Sequence, residues 1–164
     1  MYPVRLGYDA AKNRIEKLIC NGHHAEALLT SVFTLEKIIH RTLRQLLISA
    51  GFTSSSTKVL LSQLRGFSKQ KEVWKCFDPR ERSLAEVVAS SHWQHINKAV
   101  EMRNKTVHGV RVYKLAEYQT QARLILLLLD DTVAAFQSVY GYDGWGDVSR
   151  RIKPKLHSDP KVDL

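Results

Sequence analysis

The chain predicts an all-α domain, a helical bundle, on three observations. Apolar residues recur at spacings of three and four through two long stretches, about 24–50 and 114–140. Between the helical patterns stand residues that stop or cap helices: Asn21-Gly22, Gly51, the run Ser54-Ser55-Ser56, Gly66, Asp78-Pro79 and Gly109. No stretch of useful length alternates apolar with polar residues, as a half-buried strand does.

The elements follow in order. A first helix is expected from about Asp9, an N-cap residue type, to Asn21. The second runs from about His24 to Ala50, with Leu28, Val32, Ile39, Leu43 and Leu46 as its apolar stripe. A third, capped by the serines, reaches about Leu64, and a short basic helix spans Ser68 to Phe77. Ser83 to about Met102 reads as one or two helices, with a break near Ser90-Ser91. After Gly109 the β-branched connector Val110 to Tyr113 favours an extended path. The last helix, Lys114 to Tyr140, contains Leu124 to Leu129, apolar all round, as expected of a helix buried between others. The two long helices, 24–50 and 114–140, are expected to form the spine of one domain, residues 1–140. Beyond Tyr140, Gly141, Gly144, Gly146, Pro154 and Pro160 interrupt any periodicity. Residues 141–164 are therefore expected to be a flexible basic arm outside the core.

Bulk properties narrow the function classes. The chain has 164 residues, enough to bury a proper core, and an ordinary apolar fraction of 44%. It opens Met1-Tyr2-Pro3-Val4 with no apolar run, so a secretory leader is not expected. The longest apolar run, Leu124 to Leu129, is far too short to span a bilayer, and no membrane role is expected. Cys20 and Cys76 stand far apart and suggest neither a disulfide framework nor a zinc site; a reducing cytoplasm fits. The formal charge of +9 points to a polyanionic partner. The excess is concentrated: residues 41–82 hold nine Lys or Arg against three acids, and Arg150, Arg151, Lys153 and Lys155 add to it in the tail.

The candidate chemistry lies in Arg103-Asn104-Lys105-Thr106-Val107-His108, between two helical patterns. Arg103 offers a permanent cation with a bidentate fork, and His108 a group that gives or takes a proton near neutral pH. Asn104 can orient either of them or a substrate oxygen. RNA cleavage without a metal needs these functions. The 2′-hydroxyl must lose a proton, the phosphorane must be stabilised and the leaving 5′-oxygen must gain a proton. Lys105, inside the motif, and Arg41 are the cations expected to hold RNA phosphates. Glu36 falls within the stripe Val32–Glu36–Ile39–Leu43, where a carboxylate is costly unless paired. Either it sits at the stripe's edge and reaches water, or it pairs with Arg103 and fixes the guanidinium. His40, one turn on, can face the same site. His92 and His95 have a spacing that suits a metal but no third ligand nearby, so a surface pair is the better reading. Trp93, Tyr113 and Trp145 are able to stack on bases, although packing is the default for Trp93. Gly141-x-x-Gly144-x-Gly146 lacks the strand-to-helix context of a phosphate loop.

Arg103-Asn104-x-x-x-His108, placed before a long apolar C-terminal helix, resembles the R-N-x-x-x-H signature of the HEPN superfamily, the higher eukaryotes and prokaryotes nucleotide-binding domain. Many members are metal-independent endoribonucleases of toxin–antitoxin and antiphage systems. The resemblance covers the motif and, by helix order, about residues 9–140. It implies a HEPN-like bundle, catalytic roles for Arg103, Asn104 and His108, and a supporting role for Glu36 on the early long helix. It also implies a homodimer that shares one cleft, RNA as substrate, no cofactor, and an antitoxin or defence-system partner. Members partnered by a nucleotidyltransferase antitoxin continue the motif to R-x4-H-x-Y. Here Val110 takes the tyrosine's place and the first tyrosine is Tyr113, which removes the basis for AMPylation at that position. The expected function is thus a metal-independent endoribonuclease, a toxin or phage-defence effector. The alternatives are a catalytically silent HEPN-like RNA-binding or assembly module, and a purely structural helical adaptor.

Overall fold

Apolar spacing along α2 (His24–Ser49) sets the centre of the molecule, because Leu28, Val32, Leu35, Ile39, Leu43 and Leu46 recur every three or four residues and are all buried. The computed structural model describes residues 7–88 and 90–156, and every regular element among them is a helix. Around α2 stand α1 (Tyr8–Cys20), α3 (Ser54–Gln63), α4 (Phe67–Phe77), α5 (Leu84–Val87), α6 (Ser90–Val107) and α7 (Leu115–Tyr140). The most extensive packing is between α2 and α7, so the two long helices do form the spine. Burying each large aliphatic side chain in this seam contributes about 2 kcal/mol. Three buried hydroxyls of these helices are satisfied within their own helix: Ser31, Thr42 and Thr132 donate to the carbonyls of Leu28, Ile38 and Leu128.

Local signals account for the helix ends. Thr53, rather than the serines after it, caps α3 by accepting from the Ser56 N–H. Ser83 and Glu86 form a capping box on α5. The 83–102 pattern divides into α5 and α6, as the sequence allowed. α7 stops at Gly141, in the left-handed conformation. Leu127 departs from expectation: it is 67% exposed, so α7 is not enclosed all round. Helices pack against only part of its circumference.

A buried polar cluster ties α4 to α7. Trp74 stacks on Phe136 and donates its indole N–H to the Tyr140 hydroxyl at 3.1 Å. Tyr140 donates to Asp78 at 2.5 Å. The guanidinium of Arg82 and the backbone N–H groups of Arg80 and Arg82 complete the shell around Asp78.

The expectation of a free arm beyond Tyr140 is corrected for residues 142–156. Asp143 accepts from the N–H groups of Trp145 and Gly146, which folds the segment into a tight turn. Gly144 (φ +80°) lies against α2; a Cβ there would stand 2.5 Å from Ile38 Cγ2, so only glycine fits. Trp145 then packs edge-on against Tyr8, under the Lys37 ammonium. Further on, Gln45 and Ser149 exchange hydrogen bonds, Arg151 bonds to Ser54 and to the Ile48 carbonyl, and the Lys155 N–H donates to the Gly51 carbonyl. Backbone and side-chain pairing with α2 thus fixes this segment without any helical periodicity. The remainder of the expected arm, 157–164, lies outside the described residues. Among the described residues no helix is long and apolar enough to cross a membrane.

Candidate functional site

The motif lies within a helix and not between two. α6 continues through Val107, and His108 is its C-cap. Gly109 (φ +66°) takes the left-handed position, its N–H bonding to the Thr106 carbonyl and that of Val110 to the Lys105 carbonyl. This reciprocal pair is a Schellman end, and it needs glycine at that position. The result separates Arg103 from His108. Five residues along a helix turn the side chain by about 140° and advance it by about 7.5 Å.

Arg103 points inward to α2. Its guanidinium forms an ion pair with Glu36 and lies over the Phe33 ring, 5.1 Å from the centroid. The pair is mostly shielded, with 16% of the Arg103 side chain and 20% of the Glu36 side chain exposed. Phe33 precedes Glu36 by three residues and so shares its face of α2, a signal that the sequence reading left unused. Burial pushes the Glu36 carboxyl above its ordinary range, against the opposing pull of Arg103. Arg103 Nε is buried without a hydrogen-bond partner.

The pair opens onto a groove of about 470 Å³ between α6 and the start of α4. Asn104 and Lys105 line it with Glu36 and Arg103, and Arg65, Ser68 and Lys71 face them. Lys105 is held by Glu101, 2.5 Å away and one turn earlier. Arg65 and Lys71 form no ion pair among the described residues. They contribute the groove's uncompensated positive charge, which in the sequence is visible only as part of the basic excess of residues 41–82.

His108 is exposed at the end of α6 and is not among the groove's lining residues. It is neither packed in the core nor turned into the basic groove of its own chain. Near it in the chain, Val107, Val110, Val112 and Leu115 are each more than half exposed, interleaved with exposed Arg111 and Lys114. Beneath, the Thr106 hydroxyl bonds to Tyr118 at 2.8 Å, and Tyr118 accepts from the Tyr113 N–H. These bonds anchor the 110–113 connector beside the motif.

Arg41 does not belong to this site. Its guanidinium donates to the carbonyls of Trp145 and Gly146 and secures the C-terminal segment, away from the groove's lining. His40 faces the next concavity along α2, where Gln70 contacts its Nδ1 at 3.1 Å. Trp93 packs on Phe67, and Tyr113 meets Tyr118 and Arg111. Among the described residues no group of three His, Cys, Asp or Glu is placed to hold a metal ion.

No family model, curated protein or solved structure matches this chain. The functional reading therefore stands on these side chains and on the motif.

Glu36→Gln isolates the carboxylate's contribution to the site. The amide keeps an oxygen to accept from Arg103 but removes the negative charge. Because the folded-state pKa of Glu36 is raised above its ordinary 4.5, the ionised carboxylate costs stability as pH rises through that window. At neutral pH the variant is expected to unfold at the same or slightly higher denaturant concentration, while RNA cleavage falls. Normal cleavage by Glu36→Gln would reduce the carboxylate to an edge residue.

Proposed function

We propose that the protein is a metal-independent endoribonuclease that cuts RNA by attack of a 2′-hydroxyl on the adjacent phosphorus. The observation that carries this reading is the Glu36–Arg103 ion pair at the wall of a groove with excess positive charge. Glu36 and Phe33 hold the guanidinium in place, so little of its freedom is lost when a phosphate docks. Arg103 stabilises the charge that develops on the phosphorane. Asn104 orients a phosphate or sugar oxygen, and Arg65, Lys71 and Lys105 neutralise neighbouring phosphates. His108 moves the protons: one leaves the 2′-oxygen as its bond to phosphorus forms, and one reaches the 5′-oxygen as its bond to phosphorus breaks.

One exposed histidine per motif supports a two-fold homodimer as the active unit. The exposed apolar side chains of Val107, Val110, Val112 and Leu115, close in sequence to His108, are available for contact with a second copy. A two-fold axis beside them brings the partner's motif across the cleft, so that one histidine acts as base and the other as acid. The resemblance to HEPN ribonucleases supports a role as a toxin or phage-defence effector, with an antitoxin or defence protein as its controlling partner. The test is incubation of single-stranded RNA with wild type and His108→Ala in EDTA. The wild type should cleave and the variant should not; activity that disappears in chelator and returns with magnesium contradicts the proposal.

A second reading, a catalytically silent RNA-binding or assembly module, is favoured by one feature. Arg103 is already engaged by Glu36 and Phe33, and His108 stands outside the groove. Salt-dependent RNA binding without cleavage, at any protein concentration, selects that reading.

A further inference from the structure

A second basic concavity lies one turn along α2 from Glu36. His40 and Arg44 of α2, Lys58 of α3 and Arg65 of the α3–α4 turn line a pocket of about 340 Å³. No acidic side chain lines it among the described residues. Three permanent cations and an imidazole this close repel one another unless an anion lies between them. His40 registers the imbalance: burial lowers its basicity, and Arg44 and Arg41 lower it further.

Hydrogen bonds from neighbouring groups fix two of the lining side chains, His40 and Arg65. The Gln70 amide nitrogen donates to the Leu64 carbonyl at 3.2 Å, which fixes the orientation of the amide. The same nitrogen approaches His40 Nδ1 at 3.1 Å, so Nδ1 is the acceptor and the neutral ring carries its proton on Nε2. Arg44 Nε is buried with no hydrogen-bond partner, an uncommon state for a guanidinium N–H. Arg65 Nε donates to the Ser62 carbonyl at 3.1 Å, which steadies that guanidinium.

We propose that this pocket binds a phosphate group, with His40, Arg44, Lys58 and Arg65 as the residues that hold its oxygens. Tetrahedral phosphate matches a cationic lining without a carboxylate, and arginine forks suit its geometry. Arg65 lines both this pocket and the Arg103 groove. An RNA strand with its scissile phosphate at Arg103 can therefore place a second backbone phosphate here. That assignment to a strand rests on the ribonuclease reading; the phosphate chemistry does not. A free nucleotide is the other source of the same group.

Two measurements separate the sources. In the first, inorganic phosphate is titrated into the protein while the His40 imidazole is followed by NMR. A saturable shift in wild type, lost in Lys58→Glu, is expected; Lys58 is exposed, so the variant retains the fold. Absence of a saturable shift in wild type overturns the pocket. In the second, a 2′-O-methyl RNA oligomer, which cannot be cleaved by its own 2′-oxygen, is bound at several salt concentrations. Lys58→Glu should bind about tenfold more weakly than Lys17→Glu, an equal charge change on α1, with a salt slope shallower by about one phosphate. Equal binding by the two variants, with the phosphate shift intact, overturns the assignment to a strand. If wild type shows the phosphate shift but does not bind the oligomer, the ribonuclease reading fails while the pocket stands.

Discussion

Arg103→Ala and His108→Ala are each expected to lower RNA cleavage by roughly 10²-fold or more, the usual scale for removing a charge-stabilising or proton-transferring group. The two variants should differ in their side effects. His108 is an exposed C-cap whose hydrogen bond into the helix comes from its backbone N–H to the Asn104 carbonyl, so its alanine variant keeps the fold and loses chemistry alone. Arg103→Ala leaves Glu36 shielded and unpaired, and some loss of stability should accompany its loss of activity. Arg103→Lys is the informative companion. It keeps the charge but not the planar fork, so a large residual defect assigns the effect to geometry. Single-turnover cleavage of a short RNA, with protein folding checked by circular dichroism, measures all three. In mixtures of wild type with His108→Ala, activity per wild-type chain should fall well below half if two histidines share a cleft.

The largest effect on stability is expected at Asp78. Burial alone would raise its pKa. The side chains of Arg82 and Tyr140 and two backbone N–H groups instead hold it down at about 2. Because the folded-state value lies below the unfolded one, the carboxylate stabilises the fold above about pH 4. That contribution, on the order of 2 kcal/mol, is lost as pH falls from 4 towards 2. Asp78→Ala at neutral pH removes the charge and leaves Tyr140, Arg82 and the two N–H groups without their acceptor. A loss of about 3–5 kcal/mol is expected. Urea unfolding at neutral pH tests the magnitude, and the same comparison with Asp78→Asn at pH 2–5 tests the sign. The gap between wild type and Asp78→Asn should narrow as pH falls; a gap independent of pH would place the stabilisation elsewhere.

Asp78 also shows where sequence reasoning stopped. Asp78-Pro79 was legible as a helix breaker, but the partners that make the carboxylate structural come from residue 140, on another helix. The long helices were legible because their apolar spacing is local. The placement of the motif was less so: a polar run after Met102 reads as a loop, although Gly109 carried the signal that α6 ends only at Val107. The tail misled for a related reason. Glycine-rich, aperiodic sequence predicts an arm, yet Gly144 allows close approach to Ile38 and Arg41 reaches the Trp145 and Gly146 carbonyls. Those contacts span about a hundred residues and leave no periodic trace. The Glu36–Arg103 pair was one of the two readings that a carboxylate inside an apolar stripe leaves open, the other being an edge position in water. The Arg65 and Lys71 side of the groove was visible only as bulk positive charge.

End-group analysis of RNA cut in EDTA tests the central claim most directly, because the product records which oxygen attacked phosphorus. Attack by the 2′-hydroxyl leaves a 2′,3′-cyclic phosphate, or the 3′-phosphate it hydrolyses to, and a 5′-hydroxyl on the other fragment. The proposed chemistry, with Arg103 held by Glu36 and His108 brought in across the dimer, predicts those ends, formed without magnesium and absent with His108→Ala. Products bearing 3′-hydroxyl and 5′-phosphate ends, or intact RNA with active-site-concentration protein, would contradict the account.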